Sequence, residues 1–239
     1  MLNKKVKKLD IFLDSADINE LKKYKNNKFI KGFTTNPSLM RKAGVKNYEL
    51  FCRKILKLIK NKPISFEVFA DEYKAMKYQS LKISKFAKNV YVKIPIINTK
   101  NHFNTKLIGE LNKVGVCINV TAVFTIKQTR EILKKIGKKT PIIISVFCGR
   151  LADAGVDPKI EILKHIKITK KFSNVKILWA SVRQPYNIIE AEKTKCHIIT
   201  VPPEILKKTK SFDKNLNEFS VETVKNFYLD EKKSKFKIA

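Results

Sequence analysis

The feature that most constrains this chain is a strand-then-helix alternation that recurs eight times. Runs rich in Val, Ile and Phe occur at 9–13, 30–34, 64–69, 90–94, 116–120, 142–147, 176–181 and 197–201. Several are apolar on both faces, the pattern of a parallel strand covered on each side. Stretches of helical period lie between them, at 17–24, 47–59, 71–86, 104–114, 126–136, 159–172, 185–194 and 203–208. Asp17 with Glu20 three residues on predicts a capping box at the first of these. Eight such units in 239 residues give a repeat of about 30 residues, the size of a βα unit. Eight units closed on themselves make an α/β protein of the (β/α)8 TIM-barrel class, typically of roughly 250 residues. An open doubly wound sheet has fewer strands as a rule and carries a Gly-rich GxGxxG turn after its first strand, which this sequence lacks. No linker or composition break divides the chain, so it reads as one barrel domain over 1–239 with a C-terminal helical extension at about 219–230.

Charge and composition restrict the partners. Lys and Arg number 51 against 21 Asp and Glu, a formal net charge of +30. A field of that sign attracts polyanions. Only five of these residues are Arg (Arg41, Arg53, Arg130, Arg150, Arg183), and the lysines are spread along the whole chain. A nucleic-acid reader concentrates charge in a patch and uses Arg for bidentate contacts. The pattern therefore reads as compositional bias, and no specific nucleic-acid partner is expected. No apolar run reaches the ~18 residues of a bilayer span, and Asp10 and Asp14 interrupt what would be the core of a signal peptide. A cytoplasmic protein without a membrane partner is expected. Cys52, Cys117, Cys148 and Cys196 form no CxxC pair and read as reduced small hydrophobes. His102, His165 and His197 lack ligand spacing, so no metal site is expected.

In a barrel of this class the active site lies at the C-terminal ends of the strands. Those ends hold polar residues where burial alone would predict Val or Ile. The first strand ends in Asp14, the second in Thr34 and Asn36; the third contains Glu67 and the fourth Lys93. Asn119 and Thr121 follow on the fifth, Ser145 on the sixth before Phe147 and Arg150, and Ser181 on the seventh before Arg183. Each has a plain structural reading: Asp14 as a helix cap, 34–38 as a turn, Lys93 as one lysine among many. Together they aim an amine, two carboxylates, an amide and several hydroxyls at one mouth. An amine desolvated among apolar strands near Asp14 and Glu67 spends time uncharged and can attack a carbonyl. The imine so formed is an electron sink, and a carboxylate such as Asp14 can move the proton. Arg150 and Arg183 fall after strands six and seven, where barrels bind phosphate.

The segments Phe12-Leu-Asp-Ser-Ala-Asp17, Gly32-Phe-Thr-Thr-Asn-Pro-Ser38, Val92-Lys-Ile-Pro95, Asn119-Val-Thr121, Ser145-Val-Phe-Cys-Gly-Arg150 and Ala180-Ser-Val-Arg183 resemble, in order, those of the transaldolase family. Departures are Cys148, where a small apolar residue is usual, and the Gly155-Val-Asp-Pro158 loop. The resemblance implies a Schiff-base enzyme without metal or organic cofactor that moves a dihydroxyacetone unit between sugar phosphates. It implies Lys93 as the imine-forming residue and Asp14 as the acid/base. Glu67 and Thr121 would hold a proton-relaying water. Thr34, Asn36, Asn119, Ser145 and Phe147 would line the donor site; Arg150, Ser181 and Arg183 would bind phosphate. The related fructose-6-phosphate aldolases tend to carry Gln and Tyr at the positions of Glu67 and Phe147, so these two residues favour transfer over release. The length resembles the short subfamily that includes those aldolases, which remain the alternative reading. Relatives assemble, and Val221, Val224, Phe227 and Tyr228 form an apolar stripe; a homo-oligomer, or a helix completing the barrel's outer ring, is expected.

Overall fold

The computed structural model describes residues 5–234. Eight strands occur there: β1 (Asp10–Asp14), β2 (Ile30–Thr34), β3 (Ile64–Glu67), β4 (Val90–Pro95), β5 (Ile118–Val123), β6 (Ile142–Val146), β7 (Val175–Trp179) and β8 (Ile198–Val201). All pair in parallel in chain order and β1 closes on β8, so the sheet is the barrel that the alternation predicts. The intervening helices are α1 (Ile18–Tyr24), α2 (Pro37–Lys42), α3 (Tyr48–Leu58), α4 (Tyr73–Ser84), α5 (Thr105–Lys113), α6 (Ile126–Leu133), α7 (Cys148–Asp153), α8 (Pro158–Thr169), α9 (Tyr186–Lys193) and α10 (Pro203–Lys208). A last helix, α11 (Leu216–Ser234), follows a 3₁₀ turn at Thr209–Ser211.

Alternation sorts the strand residues into two cores. Ile11, Leu13, Ile142, Ile144, Ile177 and Trp179 pack with the helix residues Leu21, Ile55, Leu107 and Ile132 between sheet and helices. Each such side chain contributes about 2 kcal/mol on burial. Phe12, Ile143, Leu178, Ala180 and Ile198 form a separate cluster with Tyr91 and Phe147, the residues of opposite parity, which fill the barrel's interior. Gly32 faces the same interior: a Cβ there would meet the Phe12 ring at 2.5 Å. At the N-terminal end, Lys176 pairs with Asp10 at 3.0 Å. Glu192 accepts hydrogen bonds from the backbone N–H groups of Lys7, Lys8 and Leu9, stitching the start of the chain to α9.

Several local expectations shift. β5 begins at Ile118 and runs to Val123; its register with β6 is interrupted between Val120 and Val123, where Ala122 takes a left-handed φ of 56°. Asp17 does cap α1, accepting from the N–H groups of Asn19 and Glu20, but Glu20 pairs with Lys207 at 2.7 Å instead of completing a capping box. The reciprocal box occurs at α6, between Thr125 and Gln128. The short helix α2 starts within the 34–38 stretch expected as a turn, and a further short helix, α7, follows β6 where the helical periods predict none. Cys52, Cys148 and Cys196 are buried and all four cysteines are free. The extension is longer than expected, and every residue of α11 is exposed, so it does not complete the outer ring of this barrel.

Candidate active site

Lys93 arises from the even-handed alternation of β4, where Val92 and Ile94 face the helices and Lys93 faces the interior. The residue is only 8% exposed. The Nζ lies 3.0 Å from Glu67 Oε2 and donates to the Thr35 carbonyl at 3.1 Å. Register places Glu67 beside Lys93 and Lys93 beside Asn119 on successive strands. The expected amine–carboxylate constellation is therefore present, with a difference of detail. Glu67 touches the amine directly, whereas Asp14 acts on it through the electrostatic field. An amine so paired attacks a carbonyl only after a carboxylate has taken its proton.

Asp14 ends β1, three strands round the barrel from Lys93. Burial pushes its carboxyl pKa above the usual value, against the opposing pull of the Lys93 cation and of the Thr34 hydroxyl. Thr34 Oγ1 donates to Asp14 Oδ1 at 2.7 Å and lies 2.5 Å from Thr200 Oγ1. Thr34 is thus committed to Asp14 rather than open to a ligand. Asn36 caps α2 through its side-chain oxygen, which accepts from the Leu39 N–H at 2.9 Å, and its amide nitrogen remains for a ligand. Ser145 Oγ donates to Asn119 Oδ1 at 2.7 Å and Asn119 Nδ2 donates to Ser65 Oγ at 3.0 Å. This chain spans β6, β5 and β3 and fixes the orientation of the buried amide. The Thr121 hydroxyl is buried without a hydrogen-bond partner. An orphan buried hydroxyl calls for a partner, such as a water or a substrate oxygen.

Sequence reasoning assigned Arg150 and Arg183 to the phosphate end. Arg150 lies with its guanidinium 5.8 Å from the ring centre of Phe147, which packs on Phe124 at 5.7 Å. Arg183 NH2 donates to Asp153 Oδ2 at 2.6 Å, both side chains being exposed. Ser181 adopts a left-handed φ of 63° that turns the chain at the end of β7. Gly149 nests against that turn: a Cβ on it would lie 1.6 Å from the Ser181 carbonyl oxygen. The structure adds Ser65, Gly149, Asp153 and Thr200 to the neighbourhood of the expected residues. Thr200 could have been found, since it is the one hydroxyl in an aliphatic Ile-Ile-Thr-Val strand.

A lysine buried against a carboxylate at the C-terminal mouth of a closed eight-stranded barrel, ringed by amide and hydroxyl groups, defines an enzyme of the (β/α)8 class. The chain belongs to the transaldolase/fructose-6-phosphate aldolase family, whose model matches residues 11–239. Among its relatives, a protein of Dehalococcoides mccartyi named "Probable transaldolase" is 34% identical over 197 residues, 82% of this chain and 88% of the relative. One of Methanococcus maripaludis with the same name is 32% identical over 215 residues, 90% and 94% of the two chains. A solved Coccidioides immitis protein named for fructose-1,6-biphosphate aldolase superposes with a TM-score of 0.55 at 8% identity, covering 90% of this chain and 85% of its own. That likeness speaks for the barrel alone.

Proposed function

We propose that this enzyme is a transaldolase that carries a dihydroxyacetone unit from one sugar phosphate to another on Lys93. The observation that carries the reading is the buried Lys93 amine 3.0 Å from Glu67. Glu67 or Asp14 takes the ammonium proton, Nζ adds to the ketose carbonyl, and water leaves to give an iminium ion. Asp14 takes the proton from the hydroxyl beside the scissile C–C bond; that bond breaks, an aldehyde departs, and its electron pair is held as an enamine. An acceptor aldehyde captures the enamine by the reverse steps, and hydrolysis frees Lys93.

Glu67 and Thr121 hold the water that relays protons, Asn36 and Asn119 orient the donor hydroxyls with help from Ser145, and Thr34 serves by holding Asp14. Arg150, Ser181 and Arg183 bind phosphate, for which Arg183 exchanges its Asp153 partner. Phe147, packed on Phe124, supplies an apolar wall where a hydroxyl would help free dihydroxyacetone to leave. No organic or metal cofactor is assigned a part. The exposed apolar residues of α11 support assembly with further copies of the chain, and the scattered lysines leave the protein without a specific nucleic-acid partner. Among the described residues, no helix is long and apolar enough to cross a membrane.

The test is borohydride reduction in the presence of fructose 6-phosphate, which should fix a three-carbon adduct on Lys93. Lys93→Met should abolish it, and an adduct persisting in that variant would remove the assignment. Release of dihydroxyacetone without an acceptor faster than transfer would favour the aldolase reading.

A further inference from the structure

The Thr34 hydroxyl has one proton and gives it to Asp14 Oδ1 at 2.7 Å. Its contact with Thr200 Oγ1 at 2.5 Å must then be one in which Thr200 donates and Thr34 accepts. The result is a directed chain from Thr200 through Thr34 to Asp14, joining β8, β2 and β1 across the interior. Thr200 is only 5% exposed, and its neighbours on β8 are aliphatic. A valine would suit that site by packing alone, and a hydroxyl sunk there without a partner would be destabilising. Because hydrogen bonds in series polarise one another at low dielectric, the Thr200 donor strengthens the bond that Thr34 makes to the carboxylate. It also fixes the Thr34 rotor, so that Oδ1 is engaged and Oδ2 is left for the reacting proton.

We propose that Thr200 is a positioning residue for Asp14, acting through Thr34. It holds Asp14 in one orientation and favours its charged, proton-accepting form. This role in turnover rests on the transaldolase reading, whereas the link from Thr200 to Asp14 does not. The two are separable by measurement. Thr200→Val keeps the shape and removes the hydroxyl; Thr200→Ser keeps the hydroxyl and removes a methyl group. Asp14 is followed by carboxyl ¹³C NMR titration of the ligand-free protein, its signal assigned with Asp14→Asn.

In Thr200→Val the Asp14 midpoint should rise, kcat should fall roughly tenfold with KM little changed, and the acid limb of the kcat profile should move to higher pH. Thr200→Ser should restore all three. An Asp14 titration in Thr200→Val that coincides with the parent's overturns the proposal. So does a shifted titration with unchanged kcat, or an equal effect of both variants, which would mark a packing role. If the parent protein forms no Lys93 adduct, the transaldolase reading falls, and the titration alone then decides whether Thr200 governs Asp14.

Discussion

Gly149 packs so tightly on the Ser181 carbonyl that a methyl group at its Cα would sit 1.6 Å from the oxygen. The obstacle is backbone at the left-handed turn ending β7, so no side-chain rotation relieves it. Gly149→Ala should cost about 3 kcal/mol of stability, read as a lower unfolding midpoint. Since Arg150 follows Gly149 and Arg183 follows the Ser181 turn, the same variant should bind inorganic phosphate more weakly. An alanine variant as stable as the parent would contradict the packing described.

Asp14 ties stability to activity in opposite senses. Its folded-state pKa is raised, chiefly by burial, so between the usual value of 3.8 and the folded value the native state binds more protons than the unfolded chain. Its contribution therefore becomes less favourable as pH rises through the folded value. Asp14→Asn should be more stable than the parent at pH 7, with the advantage shrinking as pH falls through the folded value towards 3.8. It should lose most of its transfer activity. Urea unfolding at pH 4 and 7 checks the first point and a transfer assay the second.

His165 on α8 is fully buried, with Nδ1 2.7 Å from Thr129 Oγ1 on α6 and Nε2 3.9 Å from Glu161. Burial pulls its pKa from 6.5 down to about 4, with Glu161 opposing and Lys164 assisting. The native state then binds fewer protons than the unfolded chain below pH 6.5, and stability falls as pH drops through that window. The loss by about pH 4 is of the order of 3 kcal/mol. His165→Leu should flatten this part of the pH profile. An unchanged slope would exclude His165 as its source.

Glu67→Gln keeps the size of the side chain beside Lys93 but removes its capacity to take a proton. Adduct formation should slow by about 10²-fold or more, with the larger effect on transfer than on release of dihydroxyacetone. Single-turnover trapping against pH distinguishes this from a change in binding.

The exposed stripe of α11 includes Phe227 at 69% and Val224 at 62% exposure. Sedimentation should show an assembly larger than one chain, and Val224→Glu with Phe227→Glu should shift it to monomer while leaving the barrel's unfolding cooperative. A parent protein that sediments as a monomer would overturn the proposed assembly.

The barrel was legible because apolar runs and helical periods alternate at one spacing, and the site because polar residues at strand ends interrupt that pattern. Lys93 and Glu67 meet across adjacent strands for that reason. What sequence did not reveal depends on pairing between distant strands. The resemblance points to Thr34 as a ligand contact, but its partners Asp14 and Thr200 come from β1 and β8. The helix α7 begins immediately after β6 at Cys148 and is held by the Gly149 contact with Ser181, a contact that local propensity does not contain. The ion pair of Arg183 with Asp153 joins side chains 30 positions apart.

The pairing of β1 with β8, Asp10 beside Ile198 and Leu13 beside Val201, has a kinetic consequence. One edge of the first strand stays unsatisfied until the last strand has left the ribosome. For most of synthesis the nascent sheet is an open ribbon able to pair wrongly with itself or a neighbour. Closure across so long a loop is slow, so a folding defect in β8 would surface as aggregation during production even where the finished barrel is stable.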